Sequence, residues 1–166
     1  LERDGLVEYV LHRGVLVRAF TINDIDEIFT IRNAMMMLLL PSIVANVNED
    51  ALQKLRAILR DMDLAQEKAD ADQLAVLNRA FHSTIEHLSD KLRILRVIDS
   101  QEDYIIRFSA MTIASIVRRS NAHLEHHEML SMLENRDLEG LKRLMQHHLD
   151  ESKETCLAAV AERRFK

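Results

Sequence analysis

An all-α fold, an antiparallel bundle of six or seven helices with a short N-terminal β-hairpin stub, is predicted for this chain by three observations. Its 166 residues include only 3 Gly and 1 Pro, too few for the many tight turns of a sandwich or barrel. Apolar residues make up 48% of the sequence, enough to build a core, which argues against intrinsic disorder. Beyond residue 20 the apolar positions recur at helical spacing.

Residues 1–20 read differently. Gly5 and Gly14 fall here among β-branched, partly alternating stretches, the pattern of a hairpin around a turn. A hairpin alone is marginal, so the segment is read as part of a neighbouring domain. Leu1 in place of an initiating Met agrees with a piece of a longer protein. Thr21 then offers an N-cap, with Asp24 three residues on at the positive helix end. Ile25, Ile28, Phe29, Met35, Met36 and Leu39 follow at helical spacing, and Pro41 should end the helix. Further helices are expected over 49–69, 71–88, 91–115 with a bend, and 116–135. Asp137 should cap a last one reaching 163. Connections of a few residues favour antiparallel neighbours.

Charge and composition remove several function classes. Lys and Arg number 22 against 27 Asp and Glu, a net charge of −5, so the chain as it stands is a poor nucleic-acid binder. The single cysteine, Cys156, leaves no disulfide framework or Cys-rich zinc module and suits a reducing cytoplasm. The longest apolar run, residues 34–40, is far short of the ~20 residues that span a bilayer. No charged-then-apolar leader opens the chain, so secretion has no support. What stands out is 8 His and 8 Met against no Trp.

The helical period sorts the polar residues by the face they share. Leu74, Leu77, Phe81, Ile85 and Leu88 define one stripe, with Asn78 inside it, His82 at its edge and His87 opposite. In the last helix His148 falls within the stripe of Leu138, Leu141, Leu144, Met145 and Leu149, while His147 points away. Two histidines and an asparagine should therefore meet inside the bundle. A metal site needs at least a third ligand. His123, His126 and His127 are available, but their helix is apolar nearly all round and the period does not choose among them. Arg32 is a second anomaly, set in the middle of an apolar stripe. A buried guanidinium stays charged and requires an anionic or multi-acceptor partner, either an internal Asp or Glu or a carboxylate ligand. The run Met35, Met36, Met37 reads as core filler, although methionine also adapts to variable apolar ligands.

These residues also match a family pattern. Asn78-Arg-Ala-Phe81-His82, then Glu125-His126, then Met145-Gln-His-His148-Leu149 resembles the ligand-binding FCD domain of FadR-like GntR transcription regulators. Ser120 and Asp137 fall where that family tends to have them, and Thr21, Asp24, Glu27 and Arg32 resemble the first helix of its effector domain. The opening from Leu1 to Val7 and the stretch from His12 to Val17 resemble the end of a winged helix-turn-helix and its wing. The resemblance implies two parts: residues 1–20 as a remnant of the DNA-binding domain, and 21–166 as a helical effector-binding and dimerisation domain. It implies a metal held by Asn78, His82, His126 and His148, and an organic-acid effector near Arg32 and Arg107. Partners would be a small carboxylate, a second copy of the chain, and operator DNA through the mostly missing winged-helix domain, with no membrane. The protein is expected to be cytoplasmic and not an enzyme.

Two departures from the family pattern bear on the chemistry. Met36 stands where the family often has Glu, so an Arg32 ion pair with that position is absent. Asn78 replaces the commoner Asp. Three neutral imidazoles and an amide leave a divalent charge uncompensated, which favours an anionic exogenous ligand. A carboxylate of the effector would coordinate the metal while Arg32 holds another oxygen. Nitrogen-rich ligation suits Zn²⁺ or Ni²⁺. The rival readings are a metal-free fatty-acyl sensor lined by the methionine run, a metal-dependent hydrolase, and a plain helical interaction module. The hydrolase lacks a convincing general base: Glu125 has no expected inward orientation, and Glu86, one turn beyond His82, reads as a surface charge.

Overall fold

The computed structural model describes residues 7–10, 14–17 and 20–163. Strands β1 (Val7–Val10) and β2 (Gly14–Val17) pair antiparallel, Val7 opposite Val17 and Val10 opposite Gly14. Gly14 has φ +79°, a left-handed conformation that glycine adopts without a Cβ clash. The turn expected between the strands, and Gly5, lie outside the described residues.

Seven helices follow among the described residues: α1 (Ile22–Asn46), α2 (Glu49–Glu67), α3 (Ala71–Glu86), α4 (Leu92–Asp99), α5 (Glu102–Ala114), α6 (Ile116–Glu134) and α7 (Leu138–Arg163). Their starts follow from local chemistry. Thr21 and Asp24 form a capping box, the Thr21 hydroxyl accepting from the Asp24 amide at 3.1 Å and Asp24 accepting from the Thr21 amide at 2.8 Å. Asn48, Asp70 and Ser115 cap α2, α3 and α6 through their side chains. Asp137 caps α7 by accepting from the Gly140 amide, and a Cβ at Gly140 would displace that carboxylate from its capping position.

Two expectations are corrected. Pro41 does not end α1, which runs on to Asn46. Pro41 is exposed, so the lost hydrogen bond falls on the solvent side, while Leu39, Leu40, Ile43 and Val44 on the other side are buried and hold the helix. The single bent helix expected over 91–115 is two helices, α4 and α5, separated at Ser100 and Gln101. There the Ser100 hydroxyl donates to the Val97 carbonyl at 2.7 Å, a local bond that competes with helix continuation. By length and composition α1 is apolar enough to cross a bilayer, which a count of contiguous apolar residues misses. It is nevertheless the core helix of this bundle, buried from Ile25 to Val44 along one face that includes Arg32.

Helix α1 packs on α7, α2 on α3, and α6 on both α7 and α2, with α5 against α3, α6 and α7. The main core runs from Met36 through Phe81 and Ile85 to Met145 and Leu149. A second cluster gathers Ile25, Ile28, Phe29, Phe108, Cys156 and Val160, with Phe29 stacked on Phe108 and Phe20 tilted against it. Between the clusters lies a cavity of about 70 Å³, lined from α1, α2, α3, α5, α6 and α7. That is room for a few waters or a small acid and not for a long acyl chain.

Candidate metal centre and effector cavity

Helix periodicity delivers three imidazoles to one point. His82 from α3, His126 from α6 and His148 from α7 are all buried, and each pair of ring centroids is 5.0 Å apart. Their donor atoms all lie within 4.8 Å of one another, with the Nε2 atoms of His82 and His126 at 3.2 Å. Phe81 packs against both His126, at 4.8 Å between ring centroids, and His82, at 5.8 Å edge-on. His87 and His147 are exposed, as the wheel expects.

The donor set fits a borderline divalent ion. His148 Nδ1 lies 2.6 Å from Glu125 Oε2 and 3.1 Å from Arg118 Nη2. The shorter contact, to a carboxylate that only accepts, assigns the proton to Nδ1 and leaves the Nε2 lone pair free. Arg118 in turn grips Glu125 with two hydrogen bonds, Nη1 to Oε1 at 2.9 Å and Nη2 to Oε2 at 2.7 Å. Burial pushes Glu125 up, but its bonds from His148 and Arg118 outweigh this and bring it down to about 2. His126 Nδ1 is buried with no partner among the described residues. Burial also pushes all three imidazoles below the ordinary histidine value, His82 and His126 strongly, so they are neutral and able to ligate.

The same burial makes stability acid-sensitive. A ring whose folded value is depressed refuses a proton that the unfolded chain accepts, so stability is lost as pH falls below the ordinary histidine value of 6.5. In chelator-treated protein each ring contributes a slope approaching about 1.4 kcal/mol per pH unit. The Glu125 contribution is lost in a separate window, from its ordinary 4.5 down toward about 2. Urea denaturation across this range measures the slope, and a flat profile between about pH 7 and 5 contradicts burial of the neutral rings.

The cavity wall is polar and cationic on one side. Asn78 lines it and donates through Nδ2 to Ser109 Oγ at 3.4 Å, which leaves its amide oxygen as the group a cation could use. Arg32 lines it too, as an inward guanidinium. Its Nη2 donates to Glu86 Oε1 at 3.0 Å, while its Nη1 is buried with no partner among the described residues. Glu86 is thus no surface charge: it is 1% exposed and its other oxygen accepts from Arg79 at 2.9 Å. Glu125 is likewise buried, against the expectation. Arg107 is not among the lining residues; its guanidinium sits 3.8 Å over the Phe20 ring. Met35, Met36 and Met37 do not line the cavity either.

Sequence reasoning missed Arg79, Arg118 and Arg119, all on the cavity wall. Arg119 Nε is buried without a partner among the described residues. Four lining arginines face three carboxylates behind them, Glu86, Glu102 and Glu125, so the wall favours an anion. One signal was available: Arg118 and Arg119 sit in the first turn of α6, where the helix dipole disfavours cations and no acidic residue offsets them.

The fold has counterparts among known proteins. A family model described as "FCD domain" matches residues 27–151. The uncharacterized HTH-type transcriptional regulator YdhC of Bacillus subtilis (strain 168) is 24% identical, over 93% of this chain and 74% of its own length. Among solved structures, E. coli McbR/YncC superposes with a TM-score of 0.81 at 20% identity, covering 95% of this chain and 80% of that one. A putative transcriptional regulator GntR from Rhodococcus sp. RHA1 gives a TM-score of 0.76 at 22% identity, covering 95% and 75%. YdhC and the Rhodococcus protein are described as transcriptional regulators. The chain belongs to the FCD domain family.

Proposed function

We propose that residues 21–166 sense a small organic acid with the help of a divalent transition metal, zinc or nickel by ligand chemistry. The observation that carries this reading is the convergence of three neutral, buried imidazoles from three helices beside a cavity walled by arginines. His82, His126 and His148 would hold the ion, with the Asn78 oxygen as a fourth candidate. When bound, such an ion supplies a positive centre for a carboxylate. Arg32, through its unpartnered Nη1, orients a second oxygen of the acid, and Arg118 and Arg119 add positive potential. The Glu125 carboxylate holds His148 in one tautomer, so the acid meets a prepared site.

Arg32 also links the cavity to the N-terminal end. It lies on α1, which follows β2 after residues 18–21, so a ligand pulling on Arg32 acts on the helix joined to the strands. In this reading residues 1–20 are the wing end of a DNA-binding domain. The regulator works in the cytoplasm as a homodimer on operator DNA, and the acid changes how paired reading heads meet two half-sites. The acyl-sensor alternative is weakened by the cavity's size and by the methionine run lying outside it. The test is calorimetric titration of short hydroxy- and dicarboxylates into zinc-loaded protein. Binding weakened at least ~10-fold by chelator treatment supports the reading. Equal binding with and without metal overturns it.

A further inference from the structure

Outside the buried triad, two imidazoles and a carboxylate converge a second time. His123 and His127 stand one turn apart on α6, on the same face, with ring centroids 4.9 Å apart and planes at 88°. Both Nε2 atoms face one oxygen of Asp63 on α2, at 2.6 Å from His123 and 3.2 Å from His127. The three donor atoms lie within 4.8 Å of one another. Burial raises the Asp63 carboxyl, but its bonds to His123 and His127 outweigh this, so it stays ionised. We propose that Asp63, His123 and His127 form a second, solvent-facing site for a divalent transition ion, separate from the triad.

The geometry supports ligation beyond a shared surface hydrogen bond. A histidine pair at this spacing presents two nitrogens to one point, the arrangement by which a helix grips zinc. Without an ion both Nε2–H groups donate to Asp63, so ligation moves each ring's proton to Nδ1. A carboxylate from another helix completes a three-point set of mixed nitrogen and oxygen donors, which suits Zn²⁺, Ni²⁺ or Cu²⁺ over Mg²⁺ or Ca²⁺. Asp63 and His127 side chains are 46% and 44% exposed while His123 is 14% exposed, so an ion has an entry path and room for water ligands. Glu67 follows Asp63 by one turn on α2 and is exposed, adding negative potential to that face. Its carboxylate and His127 are half-exposed, so water competes for the ion and this site should bind more weakly than the buried triad, whose His148 is held by Glu125. His123 also lines the cavity, so an ion here would clamp α2 to α6 along its wall.

The test is calorimetric titration of Zn²⁺ into the chelator-stripped full chain and three variants. Wild type is expected to show a tight and a weaker step. His127→Ala and Asp63→Asn, both at half-exposed positions, are expected to lose the weaker step and keep the tight one, with far-UV circular dichroism unchanged. His82→Ala/His148→Ala is expected to lose the tight step and keep the weaker. A wild type with no second step overturns the outer site, as does persistence of both steps in His127→Ala and Asp63→Asn. Loss of the tight step alone in wild type would instead sink the buried centre and leave this one standing.

Discussion

Replacing His82 and His148 together by alanine should reduce bound divalent transition metal by one equivalent per chain and abolish the thermal stabilisation that this metal confers. The three rings are buried at one point, each from a different helix, and His148 is oriented by Glu125, which Arg118 holds. A single remaining imidazole at that point cannot keep an ion that needs three or four ligands. A ligand present at about 100 times its Kd stabilises the folded state by about 2.7 kcal/mol. For a domain of this size that is a shift of about 5–10 °C in Tm. Truncating buried rings destabilises the fold in its own right. The informative quantity is therefore the difference in Tm with and without metal, measured for wild type and variant. Wild type should lose those degrees on chelation, and the double variant should lose only the smaller part that the weaker outer site contributes. Equal metal content in both proteins, or a wild-type Tm unmoved by chelator, refutes the ligand assignment.

The bundle was legible because helix periodicity, capping and scarcity of turn residues all point the same way. Thr21 and Asp137, read as caps from the sequence, each start a helix where their side chains accept from the first turn. Pro41 misled because its local cost is overridden by burial on the opposite face of α1, which propensity does not see. His82 and His148 were readable because α3 and α7 have an apolar side and a polar side. Helix α6 contacts α2, α5 and α7, so its faces are all partly covered and periodicity carries no direction. There the family pattern, not the wheel, selected His126. Glu86 and Glu125 were invisible for a different reason. A carboxylate is buried only if a cation from another helix meets it, and Arg32 lies 54 residues from Glu86 in sequence.

That long-range pairing yields the largest expected loss of stability. Glu86→Gln should destabilise the protein by about 3–5 kcal/mol, because it removes the anion from a buried group of opposite charges. Glu86 is 1% exposed and uses both oxygens, one for Arg32 and one for Arg79. Burial already lowers Arg32 below its ordinary value, with Glu86 the main opposing influence. Without it, two guanidiniums face an amide that neutralises neither, and only Arg79 keeps a second carboxylate, Glu102, at 2.6 Å. Urea denaturation should show the midpoint falling at unchanged slope, with a Tm drop of about 6–20 °C. Adding Arg32→Met to Glu86→Gln should recover much of the loss, since replacing a buried ion pair by apolar side chains is often neutral. A change under about 1 kcal/mol in the single variant would show that water reaches the pair and screens it. The same variant bears on sensing. With its internal carboxylate gone, Arg32 has both terminal nitrogens for an exogenous acid, so a small carboxylate should stabilise Glu86→Gln more than it stabilises wild type.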